Sequence, residues 1–286
     1  MRYKFVNRKS ISYLCCKLET MLNKVTLITG ASSGIGKALA IEAHKRGAKV
    51  ILSARRKELL DEFTLSWNTA DYLNVQADVT RGDDCRRLVE AAVEKFGRLD
   101  VLINNAGISM RALFEDVDLD VIRRIMDTNF WGTVNCTRHA LPHLLKTKGS
   151  LVGVSSVAGY KGLPGRTGYS ASKFAMQGLL EVIRIENLKK GLHVLIACPG
   201  FTTSNIRNVA LSKDGSSQGE TPLDESKLMP AETVAAHICN AIEKRKNTLV
   251  LTTMGKLTVL LNKFFPKFMD GIVYNHMAKE ADSPFK

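Results

Sequence analysis

The sequence predicts one α/β domain with a doubly wound parallel sheet of about seven strands and helices on both of its faces. From Lys24 onward, short β-branched runs alternate with longer amphipathic segments, which is the pattern of repeated strand–helix–strand units. The runs are apolar at successive positions, as expected when helices cover both faces of a sheet. Neither a linker nor an internal repeat breaks the alternation, so we expect residues 21–253 to form a single domain.

The individual elements follow from these local patterns. Seven β-branched runs are predicted as strands: Val25–Thr29, Lys49–Ala54, Tyr72–Ala77, Val101–Asn104, Leu151–Ser155, Val194–Cys198 and Thr248–Leu251. The amphipathic segments between and after them are predicted as helices near residues 35–46, 57–66, 82–96, 116–146, 169–190 and 231–246.

Two segments depart from this alternation before the last strand. Residues 1–20 combine a basic start with an apolar patch that is too short for a secretion signal, and no small-residue cleavage site follows. We expect a loosely ordered N-terminal extension there, or a natural start at Met21. Residues 201–228 become rich in Ser, Gly, Asp and Lys from residue 207 onward. A mobile loop after a strand of an α/β sheet is typical of a substrate lid.

The C-terminal residues 254–286 carry apolar residues at roughly helical spacing, with Lys256, Lys263 and Lys267 among them. This pattern predicts a basic amphipathic tail. We favour a tail that folds over the substrate pocket or packs against a second subunit. The alternative is peripheral contact with an anionic membrane surface.

The composition excludes several classes of protein. The chain has 286 residues, of which 45% are hydrophobic and 24% charged, as in ordinary globular proteins rather than disordered or fibrous ones. No apolar window is long enough for a membrane-spanning helix. The net charge of +13 is concentrated in residues 1–24 and 244–286, which carry +5 each. The rest of the chain is therefore near neutral, which argues against a nucleic-acid-binding domain. Without CxxC spacing, the six cysteines predict buried thiols in a reducing cytoplasm and no metal site.

A glycine-rich turn connects the first predicted strand to the first helix. The turn contains Gly30, Ser32, Ser33, Gly34, Ile35 and Gly36. Missing side chains allow a tight turn and close approach of a pyrophosphate, whose charge is met by the helix N-terminus. Because the turn follows a strand and opens a helix, it predicts a dinucleotide site of the Rossmann type.

The end of the second predicted strand indicates which dinucleotide binds. NAD sites place an acidic residue there to bind the ribose 2′-hydroxyl. This chain instead has Ser53, Arg55 and Arg56 in that region. A guanidinium matches a 2′-phosphate, so the residues favour NADP(H) over NAD(H) as the cofactor.

Three polar residues follow the fifth predicted strand. Ser156 lies at the carboxyl end of that strand, where open α/β sheets bind ligands. Tyr169 and Lys173 are four residues apart and share one face of a helix. A neighbouring ammonium and an oxidised nicotinamide would both lower the pKa of a tyrosine. Tyr169 is therefore a candidate proton donor and acceptor for a substrate oxygen.

With these motifs the chain resembles the short-chain dehydrogenase/reductase family over about residues 22–250. The matching pieces are TGASSGIG at 29–36, Asp78-Val79, NNAG at 104–107, Asn129, Ser156, YSASK at 169–173 and Pro199-Gly200. The resemblance implies an NADP(H)-dependent oxidoreductase that interconverts an alcohol and a ketone or aldehyde. It is strongest with the NADP-using branch that includes hydroxysteroid dehydrogenases.

The resemblance also implies roles for individual residues. Tyr169 would be the general acid and base, Lys173 would lower its pKa and hold the nicotinamide ribose, and Ser156 would donate to the substrate oxygen. Asn129 would hold a water in a proton relay to Lys173. Further cofactor contacts are expected from Asp78, Val79, Asn105, Ala106, Gly107, Pro199, Gly200, Thr202 and Ser204.

Two positions differ from the usual family pattern. Ser33 stands where NADP-preferring relatives often have a basic residue, and Ser204 stands where a threonine is usual. The first difference weakens the argument for NADP(H), whereas the second retains a hydroxyl.

The resemblance further implies a homodimer or homotetramer, paired through helices near 116–146 and 169–190. A small hydrophobic substrate is expected, because Leu113, Phe114, Leu163 and Phe201 are candidates to line its pocket. The rival interpretation is a non-catalytic nucleotide sensor or scaffold, but such proteins typically lose the tyrosine or the lysine.

Overall fold

A computed structural model describes residues 20–203, 206–219, 228–280 and 283–284. Residues 1–19, most of the predicted N-terminal extension, lie outside the described residues. Ser204, one of the candidate cofactor contacts, also lies outside them.

The described chain contains one parallel sheet of seven strands in the order β3-β2-β1-β4-β5-β6-β7. The strands are β1 (Val25–Thr29), β2 (Lys49–Ala54), β3 (Tyr72–Gln76), β4 (Val101–Asn104), β5 (Ser150–Val154), β6 (His193–Cys198) and β7 (Thr248–Val250). Every predicted strand is present, with ends that differ by no more than one residue. The strand order reverses between β1 and β4, which opens a crevice at the carboxyl edge of the sheet.

Helices cover both faces of the sheet. They are α1 (Gly34–Lys45), α2 (Glu58–Thr64), α3 (Gly82–Phe96), α4 (Leu119–Met126), α5 (Gly132–Thr147), α6 (Thr167–Glu186), α7 (Ala231–Glu243), α8 (Thr253–Phe264) and α9 (Pro266–Ala278). One buried cluster joins α1, α2 and α7 to the sheet, and a second joins α3, α5 and α6 to the opposite face. The predicted doubly wound α/β fold is confirmed.

The helical stretch predicted near 116–146 is present without a break. It consists of α4 and α5, joined by a π-helical turn at Asp127–Trp131. The sequence pattern did not reveal this turn. Such turns accommodate one extra residue within a helical path and are frequent at functional sites.

Part of the predicted lid packs closely on the domain. Leu211 pairs with Met110 and with Ser217 in isolated β-bridges, and Ala210 and Leu211 are buried. Residues 206–219 therefore cover the segment that follows β4, and residues 220–227 lie outside the described residues.

The tail forms α8 and α9. Among the described residues, no helix is both long and apolar enough to cross a lipid bilayer. The four described cysteines are free and buried.

Candidate active site

The glycine turn provides a cradle at the carboxyl end of β1. Gly30 has a φ of +66°, in the left-handed region that favours glycine. A Cβ atom on Gly36 would lie 2.1 Å from the carbonyl oxygen of Gly30. Ser33 is the N-cap of α1 and its side chain forms no capping hydrogen bond, so it leaves the first-turn amides to another acceptor. Phosphate groups fit such a helix N-terminus.

Asn105 holds this turn in place. Its Nδ2 donates to the carbonyl oxygens of Thr29 and Gly30 at 2.9 and 3.1 Å. The backbone N–H groups of Asn105 and Ala106 donate to Thr29 Oγ1, both at 3.1 Å. The Asn105 side chain thus supports the cradle, while Ala106 and Gly107 continue along the crevice.

The ends of β2 and β3 present different groups to this crevice. Ser53 is 1% exposed and its buried hydroxyl has no hydrogen-bond partner among the described residues, whereas Arg55 and Arg56 are exposed. The Asp78 carboxylate accepts from the N–H and Oγ1 of Thr80 at 3.0 and 2.9 Å. Val79 is buried next to it. The two arginines are therefore exposed cations at this edge.

Ser156 and Tyr169 lie together where β5 and α6 meet. Ser156 Oγ accepts from the Ala158 N–H at 3.1 Å, and its hydroxyl lies beside the Tyr169 phenol. Burial raises the pKa of Tyr169, while the neighbouring Ser156 hydroxyl and the charges of Arg166 and Arg207 oppose that rise. The protonated phenol is therefore the stable form among these residues.

Lys173 lies one helical turn after Tyr169 and is 3% exposed. Its Nζ donates to the Val154 carbonyl at 2.9 Å and lies 5.6 Å from the centre of the Tyr169 ring. Burial lowers the pKa of Lys173 to about 8. The spacing that predicted a shared helix face has thus placed the ammonium beside the phenol.

Asn129 occupies the π-helical turn and is fully buried. Its Oδ1 accepts from the Ile108 N–H at 2.8 Å, and its Nδ2 donates to the Ile108 carbonyl at 3.0 Å and to Ser172 Oγ at 2.9 Å. The side chain therefore connects the segment after β4 to α6, next to Lys173.

The segment after β6 closes the crevice from the other side. The Pro199 carbonyl accepts from the Val157 N–H at 3.2 Å, and Thr202 Oγ1 donates to the Gly200 carbonyl at 3.1 Å. Arg207 Nη1 donates to the Thr202 carbonyl at 2.9 Å. These bonds fix the start of the lid beside Ser156.

The structure gives the surroundings of three of the four predicted pocket residues. Phe114 is 66% exposed, and Leu163 packs against a cluster on α9 formed by Met269, Val273 and Met277. Phe201 is partly exposed, and its ring centre lies 5.9 Å from that of His276. The tail therefore packs against the loop that was expected to border the substrate pocket.

Together these residues place a tyrosine, a serine and a buried lysine beside a dinucleotide cradle. A family model described as short chain dehydrogenase matches residues 24–214. The chain belongs to the short-chain dehydrogenase family. It is accordingly an oxidoreductase acting on CH–OH groups.

Named relatives support this placement within the short-chain dehydrogenases. The chain is 38% identical to 11-beta-hydroxysteroid dehydrogenase A of Arachis hypogaea over 88% of this chain and 75% of the relative. It is 36% identical to 11-beta-hydroxysteroid dehydrogenase 1A of Arabidopsis thaliana over the same shares. The resemblance to hydroxysteroid-dehydrogenase-like members is thus confirmed.

Solved structures of short-chain dehydrogenases share the fold. One from Streptomyces avermitilis is 28% identical, with a TM-score of 0.77 over 91% of this chain and 98% of the other. One from Burkholderia phymatum in complex with NAD is 25% identical, with a TM-score of 0.77 over 87% and 96%. One from Burkholderia cenocepacia in complex with NADP is 23% identical, with a TM-score of 0.75 over 89% and 98%.

A buried ionic cluster beside the site was missed by the sequence analysis. Both carboxylate oxygens of Glu280 lie 3.1 Å from Arg166 Nη2, and Arg111 Nη2 lies 3.6 Å from Glu280 Oε2. Arg166 is the N-cap of α6, three residues before Tyr169. Lys161, in the same loop, pairs with Asp270 of α9. No local pattern could have paired residues that are more than 100 positions apart.

The lowered pKa of Lys173 predicts a pH-dependent stability. The unfolded side chain has its ordinary pKa of about 10.4. Between about pH 8 and 10.4 the unfolded state therefore binds more protons than the folded state. Stability should rise with pH across this window. We expect the free energy of unfolding of the wild type, measured by urea denaturation relative to Lys173→Met, to increase by about 1–3 kcal/mol from pH 7.5 to 10. The difference in the free energy of unfolding between the wild type and Lys189→Met, which removes an exposed lysine, should not change with pH. Equal pH dependences for the two variants would contradict a lowered pKa of Lys173.

Proposed function

We propose that this chain is an NADP(H)-dependent oxidoreductase that interconverts a secondary alcohol and a ketone, or a primary alcohol and an aldehyde. The observation that carries the proposal is the adjacent pair of Ser156 and Tyr169 hydroxyls next to the buried Lys173, at the sheet edge that holds the glycine cradle. Hydride transfer would be supplied by the nicotinamide when it is bound.

The proton chemistry follows from the two hydroxyl groups. A carbonyl oxygen placed near both could accept hydrogen bonds from Ser156 and Tyr169 and would receive the phenolic proton of Tyr169 as the alcohol forms. The raised pKa of Tyr169 keeps that proton on the phenol near neutral pH, which suits reduction. In the oxidative direction, the ammonium of Lys173 would favour the phenolate.

The glycine turn is suited to binding a dinucleotide, and the arginines at the end of β2 favour NADP(H). Gly30 and Gly36 allow the turn to fold tightly, because a Cβ atom at either position would clash with the chain's own backbone, and the N-terminus of α1 offers its first-turn amides. Arg55 and Arg56 follow β2 where a ribose 2′-phosphate would lie, and no acidic residue is available there for a 2′-hydroxyl. Solved relatives have been crystallised with NADP and with NAD, which is consistent with a nicotinamide cofactor of either kind.

A substitution at Arg55 tests the cofactor preference. Removing a charge-assisted hydrogen bond to a phosphate should weaken NADPH binding by about 10–100-fold and leave NADH binding nearly unchanged. The two dissociation constants of Arg55→Ala can be measured by the fluorescence of the reduced nicotinamide. Arg86→Ala, which removes an exposed arginine on α3, is the matched control. Equal losses for both nucleotides would argue against a 2′-phosphate contact.

The substrate is proposed to be a small hydrophobic carbonyl or alcohol. Tyr169 packs against a buried apolar cluster, and the named relatives are hydroxysteroid dehydrogenases, so ketosteroids are the first compounds to test. The experiment is NADPH oxidation by purified protein against a panel of steroid, aliphatic and aromatic carbonyl compounds. Turnover would support the enzyme, whereas NADPH binding without turnover on any compound would support the nucleotide-sensor alternative.

The assembly is proposed to be a homodimer or homotetramer. Helix α6 exposes Phe174, Val182 and Ile185, the last of which is 68% exposed. Light scattering after size-exclusion chromatography should therefore give a mass of two or four chains. Combining Val182→Glu with Ile185→Glu should lower that mass, because buried charges disfavour the contact. A monomeric wild type would overturn this proposal.

A further inference from the structure

The two tail helices expose an unusual amount of apolar surface. On α8, Met254, Leu257, Leu260 and Phe264 recur every three or four residues and are 44–67% exposed. Phe265 follows α8, and Phe268 and Ile272 continue the spacing on α9. Side chains at these intervals share one face of a helix. Both helices therefore have an apolar face in contact with solvent. We call the two faces together the outer face; it is formed by Met254, Leu257, Leu260, Phe264, Phe265, Phe268 and Ile272.

The opposite side of this helix pair is fixed to the domain. Met269, Val273 and Met277 are buried against Leu163 and Leu261. Asn262 Nδ2 donates to the Tyr160 carbonyl at 3.0 Å, and Glu280 pairs with Arg166. The outer face is thus held in place rather than left on a free segment.

The charges around the outer face are almost all positive. Lys256, Lys263, Lys267 and Lys279 are exposed. Of the two acidic residues of the described tail, Asp270 is exposed but its charge is paired with Lys161, and Glu280 is buried beside Arg166. Exposed lysines interleaved with phenylalanines match an anionic phospholipid surface, which offers both phosphate charges and an apolar interior.

The lengths of the helices indicate how they would bind. With 12 and 13 residues, α8 and α9 are about 18–20 Å long, well below the ~30 Å of a bilayer core. We propose that the outer face of α8 and α9 docks on anionic phospholipid membranes, with Phe264, Phe265 and Phe268 entering the headgroup boundary. The protein would then lie on the membrane surface with the 160–166 loop next to it, so an apolar substrate dissolved in the lipid would be close to the active site.

The direct test uses the full chain and sedimentation with sucrose-loaded vesicles. We expect sedimentation with vesicles of phosphatidylcholine and phosphatidylglycerol in a 3:1 ratio, and at least tenfold weaker binding to phosphatidylcholine alone. The variant with Phe264, Phe265 and Phe268 all changed to Ser should lose vesicle binding. Lys256→Gln, Lys263→Gln and Lys267→Gln combined should weaken binding by about 10–100-fold and lower its salt dependence.

Matched controls separate docking from general charge and from misfolding. Combining Lys45→Gln, Lys244→Gln and Lys246→Gln removes three exposed lysines elsewhere and should leave vesicle binding unchanged. Thermal unfolding should be unchanged in all variants, because the substituted side chains are exposed. Failure of the wild type to sediment with anionic vesicles, or equal losses in both lysine variants, would overturn the proposal. A lower oligomeric mass of the phenylalanine variant would also overturn it, because the outer face would then contact a second copy.

Discussion

Tyr169→Phe is expected to lower kcat by about 10²–10⁴-fold, because the phenyl ring cannot donate the proton that the carbonyl oxygen must receive. The phenol lies beside the Ser156 hydroxyl and its ring lies beside Lys173, so the substitution removes one oxygen atom from an otherwise intact pocket. KM for the substrate should change much less than kcat, because apolar contacts supply most of its binding. NADPH oxidation under saturating substrate measures the effect.

The control for this variant is Tyr274→Phe, which removes a phenol from the exposed side of α9 and should leave kcat unchanged. The dissociation constant of NADPH should be similar in both variants and the wild type. A Tyr169→Phe protein that retains more than a tenth of wild-type kcat would contradict the assignment of Tyr169 as the proton donor.

Glu280→Gln is expected to lower the free energy of unfolding by about 3–5 kcal/mol, since a buried ion pair loses its carboxylate while the guanidinium groups stay buried. The side chains of Glu280, Arg166 and Arg111 are only 3%, 10% and 8% exposed. Because Arg166 caps α6 just before Tyr169, the variant should also lower kcat. Urea denaturation and NADPH oxidation measure the two effects.

Glu90→Gln is the matched control, because Glu90 pairs with Arg86 on the surface of α3 and exposed pairs contribute about 0–1 kcal/mol. Glu280→Asp keeps the charge and should recover part of the stability. Similar small losses for Glu280→Gln and Glu90→Gln would show that the buried cluster does not stabilise the fold.

The strands and the spacing of the candidate site residues could be predicted because their signals are local. β1, β2 and β6 are mostly apolar at successive positions, and they are buried on both faces as such runs require. Tyr169 and Lys173 are related by helical spacing alone, so a sequence suffices to place them side by side. The glycines of the cradle are likewise recognised from their position between a strand and a helix.

Other features depend on contacts between distant residues. The π-helical turn at Asp127–Trp131 has a sequence compatible with an ordinary helix, and Asn129 within it is fixed by hydrogen bonds with Ile108. The Glu280–Arg166 pair joins positions 114 residues apart. The direction of the Tyr169 pKa shift also depends on such contacts. Among this chain's own residues, burial raises the pKa more than the nearby charges lower it.

We infer that a hydride passes between a nicotinamide and a carbonyl carbon at this site. It is tested most directly with NADPH that carries deuterium at the transferable position and a ketosteroid, with mass spectrometry of the product. We expect an alcohol with one deuterium on the former carbonyl carbon, formed by the wild type and far more slowly by Tyr169→Phe. Alcohol without deuterium, or equal formation by both proteins, would contradict the account.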